Sequence, residues 1–202
     1  YNLEQSLMSF TNTAAHKKMM AIAGLIWFGY IIAHVIFLFT FHLGKQEFND
    51  FYYWFNNSIV YWPVLLALGA TLAFHVFTGI RRQLDNNIAA SANRYHHSYP
   101  KIIPRFVAWS GAFALLIFIV FHFVQMKLLS GEDAYQQILD IFSQPIMLII
   151  YTLGIVVLGA HLHHGLTNVL QTLGISSKQH NFAVILLVLM IVFSFASIPL
   201  SV

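Results

Sequence analysis

The chain has 202 residues, of which 58% are hydrophobic and only 8% charged, and a soluble domain of that size could not hide so much apolar surface. It contains no cysteine, which excludes disulfides and cysteine-ligated iron–sulfur clusters on this chain, so a redox role needs another kind of centre here and other subunits. The net charge of +3 implies no nucleic-acid partner, because such binding needs a clustered, water-facing basic patch and the largest cluster here is a connection between two apolar stretches.

Five stretches are long enough to span a hydrocarbon core, which takes about 20 apolar residues per helix. The expected fold class is therefore all-α, an integral membrane bundle of five transmembrane helices forming a single domain over 1–202. The first span, Met19 to Phe41, follows "FTNTAAHKK", whose polar residues can cap a helix. It is not expected to be a cleavable signal peptide, being too long, carrying His34 inside it and lacking a small-residue cleavage pattern after it. Next comes "HLGKQEFNDFYYWFNNSIV", a short amphipathic piece expected to lie along the membrane surface. The second span runs from Tyr61 to Ile80. A polar connection, "RRQLDNNIAASANRYHHSYPKIIPR", whose two prolines act as breakers, separates it from the third, Phe106 to Met126. After the acidic, amphipathic "KLLSGEDAYQQILDIFSQ" come the fourth span, Pro145 to Leu170, and the shortest, Phe182 to Pro199. No extramembrane domain is expected.

The few charges decide the orientation. With five spans the connections alternate between the two sides of the membrane. Lys17, Lys18, Arg81, Arg82, Arg94, Lys101, Arg105 and Lys178 fall on one side, against Lys45 and Lys127 on the other. The excess of positive charge puts the N-terminus in the cytoplasm. Five of the seven acids, Glu47, Asp50, Glu132, Asp133 and Asp140, lie in the two outer connections.

The eleven histidines divide by depth. His16, His42, His96, His97 and His180 lie near water, His163 and His164 form a doublet, and His34, His75, His122 and His161 sit deep, one in each of the first four spans. At a rise of about 1.5 Å per residue, His34 lies about 22 Å from the cytoplasmic end at Met19 and His122 about 25 Å from Arg105. His75 lies about 9 Å from Arg81, and His161 about 15 Å from Gln171. The deep histidines thus form two pairs, His34 with His122 toward the outer face and His75 with His161 toward the inner.

Two opposed imidazoles at one level of a helical bundle are the axial ligands that a six-coordinate haem b takes, so two haem b groups are expected, with these four histidines on the irons. The second nitrogen of each ring must donate, most cheaply to the carbonyl one turn earlier, which fixes its tautomer. A flat macrocycle also needs room, and Gly79 and Gly165 stand one turn beyond His75 and His161, where a bulky side chain would meet the ring. Arg81 and Arg82 are topology markers, and either can also pair with an inner haem propionate. The bland alternative for a transmembrane histidine is an interhelical hydrogen bond. His163 and His164 are alternatives to His161, or partners in packing and to a propionate.

"AAHKKMMAIAGLIWFGYIIAH", "FHVFTGIRR", "IFIVFHFVQ" and "AHLHHGL", in that order and spacing, resemble the single-chain, five-helix, two-haem cytochrome b subunit of succinate dehydrogenase and fumarate reductase. The resemblance covers nearly the whole chain. It implies His75 and His161 on the haem nearer the catalytic subunits and His34 and His122 on the far one. Further implied are a flavoprotein with FAD and an iron–sulfur subunit docked on the cytoplasmic side, with the N-terminal segment and the Arg81–Arg105 connection as docking face. Menaquinone or ubiquinone would be the membrane-side redox substrate. Glu47 and Asp50 on the outer side, or His16, Lys17 and Arg81 on the inner, are candidate quinone contacts. The subunit would be enzymatic only as part of that complex, in a bacterial inner (cytoplasmic) membrane, open to higher oligomers, and linked to the tricarboxylic acid cycle. The fifth span, lacking histidine, charge or amide after Asn181, is expected to be structural, with Ser194 and Ser197 bonded back to their own helix. Alternatives are another membrane cytochrome b subunit, a membrane di-iron oxygenase suggested by "HLHH", or a transporter using intramembrane histidines.

Overall fold

A chain that crosses hydrocarbon must satisfy its backbone N–H and C=O groups internally, which a helix does segment by segment. The computed structural model describes residues 13–92, 105–128, 133–175 and 177–202. Among these there is no strand, and seven α-helices follow one another. Helix α1 spans Thr13–Leu38 and tightens into a 3-10 turn, Phe39–Leu43. Then come α2 (Lys45–Asn56), α3 (Tyr61–Ala92) and α4 (Arg105–Phe123), the last widening into a π-helical turn, Val124–Leu128. Helices α5 (Ala134–Phe142), α6 (Pro145–Thr172) and α7 (Lys178–Ser197) complete the chain.

Five of these helical stretches are long and apolar enough to cross a membrane. The expected spans are the apolar parts of longer helices: α3 continues past Ile80 to Ala92, and the fifth span starts at Lys178 rather than Phe182. The boundaries follow local chemistry. Pro145 stands in the first turn of α6, where its missing N–H removes no helical bond. Ser177 caps α7 by accepting from His180 N, and Asp133 caps α5 by accepting from Gln136 N at 3.0 Å. Gly44, at φ 123°, makes the sharp joint between the 3-10 turn and α2, a conformation that a Cβ disfavours.

Helix α1 packs against α3, α6 and α7, and α6 also packs against α4 and α7. The α6–α7 seam is close, since a Cβ on Gly159 would stand 2.7 Å from Val192. Leu162, Val184, Val188 and Ile191 are buried along it. The two amphipathic connections fold over one end of the bundle as α2 and α5, where Phe41, Phe48, Ala134, Ile138 and Ile198 form a second buried cluster. Lys45 pairs with Asp133, and Asn49 ties the same carboxylate, at 2.9 Å, to the backbone N–H of Tyr135, at 3.0 Å. The hydrogen bond from Lys45, followed by those from Asn49 and the Gln136 N–H, pulls the Asp133 carboxyl down to about 2.

Candidate functional site

The four deep histidines come together as two pairs. His34 on α1 faces His122 on α4, with ring centroids 6.0 Å apart and planes at 67°. His75 on α3 faces His161 on α6 at 6.2 Å and 71°. Neither α1 with α4 nor α3 with α6 is among the closely packed helix pairs of the described residues, so each pair of rings reaches across a gap between helix backbones. The spacing suits one metal ion between the rings. Two metal–imidazole bonds of about 2 Å, with each ring centre about 1 Å behind its ligating nitrogen, separate the centroids by about 6 Å.

The His34–His122 pair sits in an aromatic sleeve at the α2–α5 end. Tyr30, one turn before His34, lies parallel to its ring at 5.6 Å and 9°, and Phe37 and Phe195 flank it at 6.4 and 5.7 Å. Phe118, one turn before His122, stacks on that ring at 6.0 Å. His122 Nδ1 lies 3.3 Å from the Tyr151 hydroxyl, which donates to Gln125 Oε1 at 2.7 Å. The partner of this ring nitrogen is therefore a hydroxyl from another helix, not the carbonyl one turn earlier that the sequence alone suggested. Beyond the pair, in the π-helical turn, Lys127 donates to Asn56 Oδ1 at 2.6 Å and lies over the Tyr52 ring at 4.5 Å.

The His75–His161 pair is set differently. His75 Nδ1 is buried without a hydrogen-bond partner. Such a nitrogen costs about 1–3 kcal/mol unless something binds it. Gly24 on α1 borders the ring, since a Cβ there would make an ordinary contact of 3.6 Å with His75 Cε1. Gly79 and Gly165 both front open space, with nothing within 4 Å of where a Cβ would be. Of the three clustered histidines of α6, it is His161 that faces His75. His164 is exposed, and its Nε2 meets the Asn168 amide nitrogen at 2.9 Å.

The other expected site residues are exposed or lie outside the described residues. Arg81, Glu47 and Asp50 are exposed. His96, His97, Arg94, Lys101 and Glu132, and the side chains of His16, Lys17, Arg82 and Arg105, fall outside the described residues. Residues 93–104 of the expected docking connection fall outside them too. No group of three or more His, Asp or Glu side chains is arranged to hold a metal ion among the described residues. Sequence reasoning missed Gly24, Phe118, Gln125, Tyr151 and Phe195. Tyr151 and Gln125 carried a usable signal, being polar side chains inside apolar spans, where a partner is obligatory. Compared with protein-family models, curated proteins and solved structures, the chain matches none.

Proposed function

We propose that this chain is a multi-pass membrane cytochrome b that binds two haem b groups between its paired histidines. Its place would be as the anchor subunit of a succinate dehydrogenase or fumarate reductase. One observation carries the reading: two imidazole pairs, each from two helices that do not pack closely, face each other at 6.0 and 6.2 Å. An interhelical hydrogen bond needs only one histidine and brings its partner within about 3 Å of the ring nitrogen, so twice finding two rings at metal-bridging distance favours ligation. The residues fit the group in three further respects. His75 has a buried nitrogen with no partner, Gly79 and Gly165, one turn beyond the inner histidines, have no atom within 4 Å of where a Cβ would stand, and aromatic rings line the outer pair.

On this reading His34 and His122 hold one iron and His75 and His161 the other. Bound haem supplies a one-electron couple. The protein supplies four ligands, a low-dielectric bundle that keeps water from them, and two centres at different depths for tunnelling. The cation-rich side, with the N-terminus, faces the cytoplasm, which places α2 and α5 on the outer side of a bacterial inner membrane. A flavoprotein with FAD and an iron–sulfur subunit would dock on the cytoplasmic face, and quinone would exchange electrons within the membrane. Histidines that come in twos suit a porphyrin, whereas a di-iron oxygenase needs larger clusters.

A redox difference spectrum with haem quantification of the purified protein tests the reading. Two b-type haems per chain are expected, falling to one in His34→Ala and to one, of the other spectral kind, in His161→Ala. A chain without haem, or variants that keep both with unchanged bands, would overturn it.

A further inference from the structure

The direction of one part-buried hydrogen-bond chain singles out a residue that composition and spacing did not. Gln125 points its amide nitrogen at Met147 Sδ, 3.6 Å away, which leaves Oε1 for Tyr151. Gln137 Nε2 donates to the backbone carbonyl of Gln125 at 2.8 Å and so braces the start of the π-helical turn from α5. An amide oxygen can only accept, so the Tyr151 hydroxyl spends its single proton on Gln125. Toward His122 it has lone pairs alone. The 3.3 Å contact between Tyr151 and His122 Nδ1 is then an Nδ1–H donated to oxygen, and the lone pair of the neutral imidazole is confined to Nε2.

We infer that Tyr151, oriented by Gln125, is a positioning residue that holds His122 in the Nδ1–H tautomer and leaves Nε2 as its metal-binding atom. The inference rests on the haem reading for the role of Nε2, but the tautomer itself does not depend on it. The arrangement is local to one pair. Tyr151 is buried beside Phe118, Phe121 and Phe142, which hold the phenol in place without competing for its hydroxyl. The other pair instead has His75 Nδ1 with no partner. An N–H that donates to oxygen makes the opposite nitrogen of its ring more basic. Tyr151 therefore favours the oxidised state of the metal that His122 binds, and it has no such influence on the His75–His161 pair.

Two measurements on the full chain in its complex test this. Magnetic resonance of isotope-labelled histidine, with His122→Gln identifying the signal, should show His122 protonated at Nδ1. A proton on Nε2 with Nδ1 bare overturns the inference whether or not haem is present. Redox titration should show Tyr151→Phe raising the potential of the haem that His34→Ala removes, while the other potential stays put. Gln125→Leu, which leaves the phenol in place, should move the same haem alone. If both variants bind two haems with both potentials unchanged, Tyr151 is a packing residue and the inference fails. Absence of haem from the wild-type protein would instead sink the ligand assignment and leave the tautomer to be decided by the resonance experiment.

Discussion

A Cβ on Gly154 of α6 would stand 2.6 Å from the ring of Phe118 on α4. Phe118 in turn stacks on His122 with planes 21° apart. The closeness of α4 to α6 and the placement of one imidazole are therefore one problem in packing. Gly154→Ala must push Phe118 aside, and the ring cannot move without sliding along His122. Overpacking of this kind costs about 1–3 kcal/mol. The expected outcome is a lower thermal midpoint and, on the proposed haem reading, weakened or shifted bands of the haem on His34 and His122, the other haem being unaffected. Unchanged stability and spectra would show that Phe118 has room to rotate away.

Gly79 and Gly165 make the opposite case. Neither has an atom within 4 Å of where a Cβ would stand, so a side chain can start there without a clash, and Gly165→Leu relieves a helical glycine, worth up to about 1 kcal/mol. On the proposed haem reading, the variant should fold and assemble at least as well as the wild type while losing the haem on His75 and His161. Haem quantification beside a thermal melt checks this. A variant that retains both haems would mean that the space beside Gly165 is for lipid.

The helices were legible because a span of about 20 apolar residues has only one way to bury its backbone polar groups in lipid. The pairing of histidines by depth was legible for a similar reason, since the constant rise of a helix converts sequence number into height. The rotation of each helix about its axis was not. It depends on which neighbour each face meets, so Tyr151 against His122, Gly24 against His75 and Phe195 against His34 could not be read from spacing. The π-helical turn after His122 was also invisible, because one extra residue in a turn leaves an apolar run apolar. Arg81, expected as a topology marker that can also pair with a propionate, has an exposed side chain.

At the α2–α5 end, the latch of Lys45, Asn49 and Asp133 predicts a pH dependence. Asp133 titrates at about 2, below an ordinary carboxyl, chiefly because Lys45 hydrogen-bonds to its ionised form. A carboxyl lowered on folding contributes stability that is fully present above its unfolded value and is lost as pH falls through the folded one. Docking of α2 on α5 should therefore weaken from about pH 4 down to about pH 2 and be level above that window. Asp133→Asn should flatten the response. Hydrogen exchange of the α2 and α5 amides, measured against pH, reads it out, and an identical profile in the variant would rule out Asp133 as the titrating group.

Helix α7 carries no histidine after His180, yet it touches the site through one ring. Phe195 lies 5.7 Å from His34 at 47°, whereas Ser194, its neighbour in sequence, spends its hydroxyl on the Met190 carbonyl at 2.7 Å. Ser197 likewise donates to Ser194 O at 2.7 Å, and its oxygen meets His42 Nε2 at 2.9 Å, tying α7 to the 3-10 turn after α1. The two adjacent positions should therefore behave differently. Ser194→Ala removes a bond internal to the helix and should leave stability and both haem spectra as they were. Phe195→Ala removes a partly buried ring from one side of His34 and should cost about 2 kcal/mol, below the range for a fully buried phenylalanine. On the proposed haem reading it should also broaden or shift the bands of the His34 haem alone, because that imidazole gains freedom to tilt while His75 and His161 keep their packing. A Ser194→Ala variant that lost a haem, beside a Phe195→Ala variant that kept both unchanged, would reverse these roles and show that α7 acts on the site through its hydroxyls rather than through its packing.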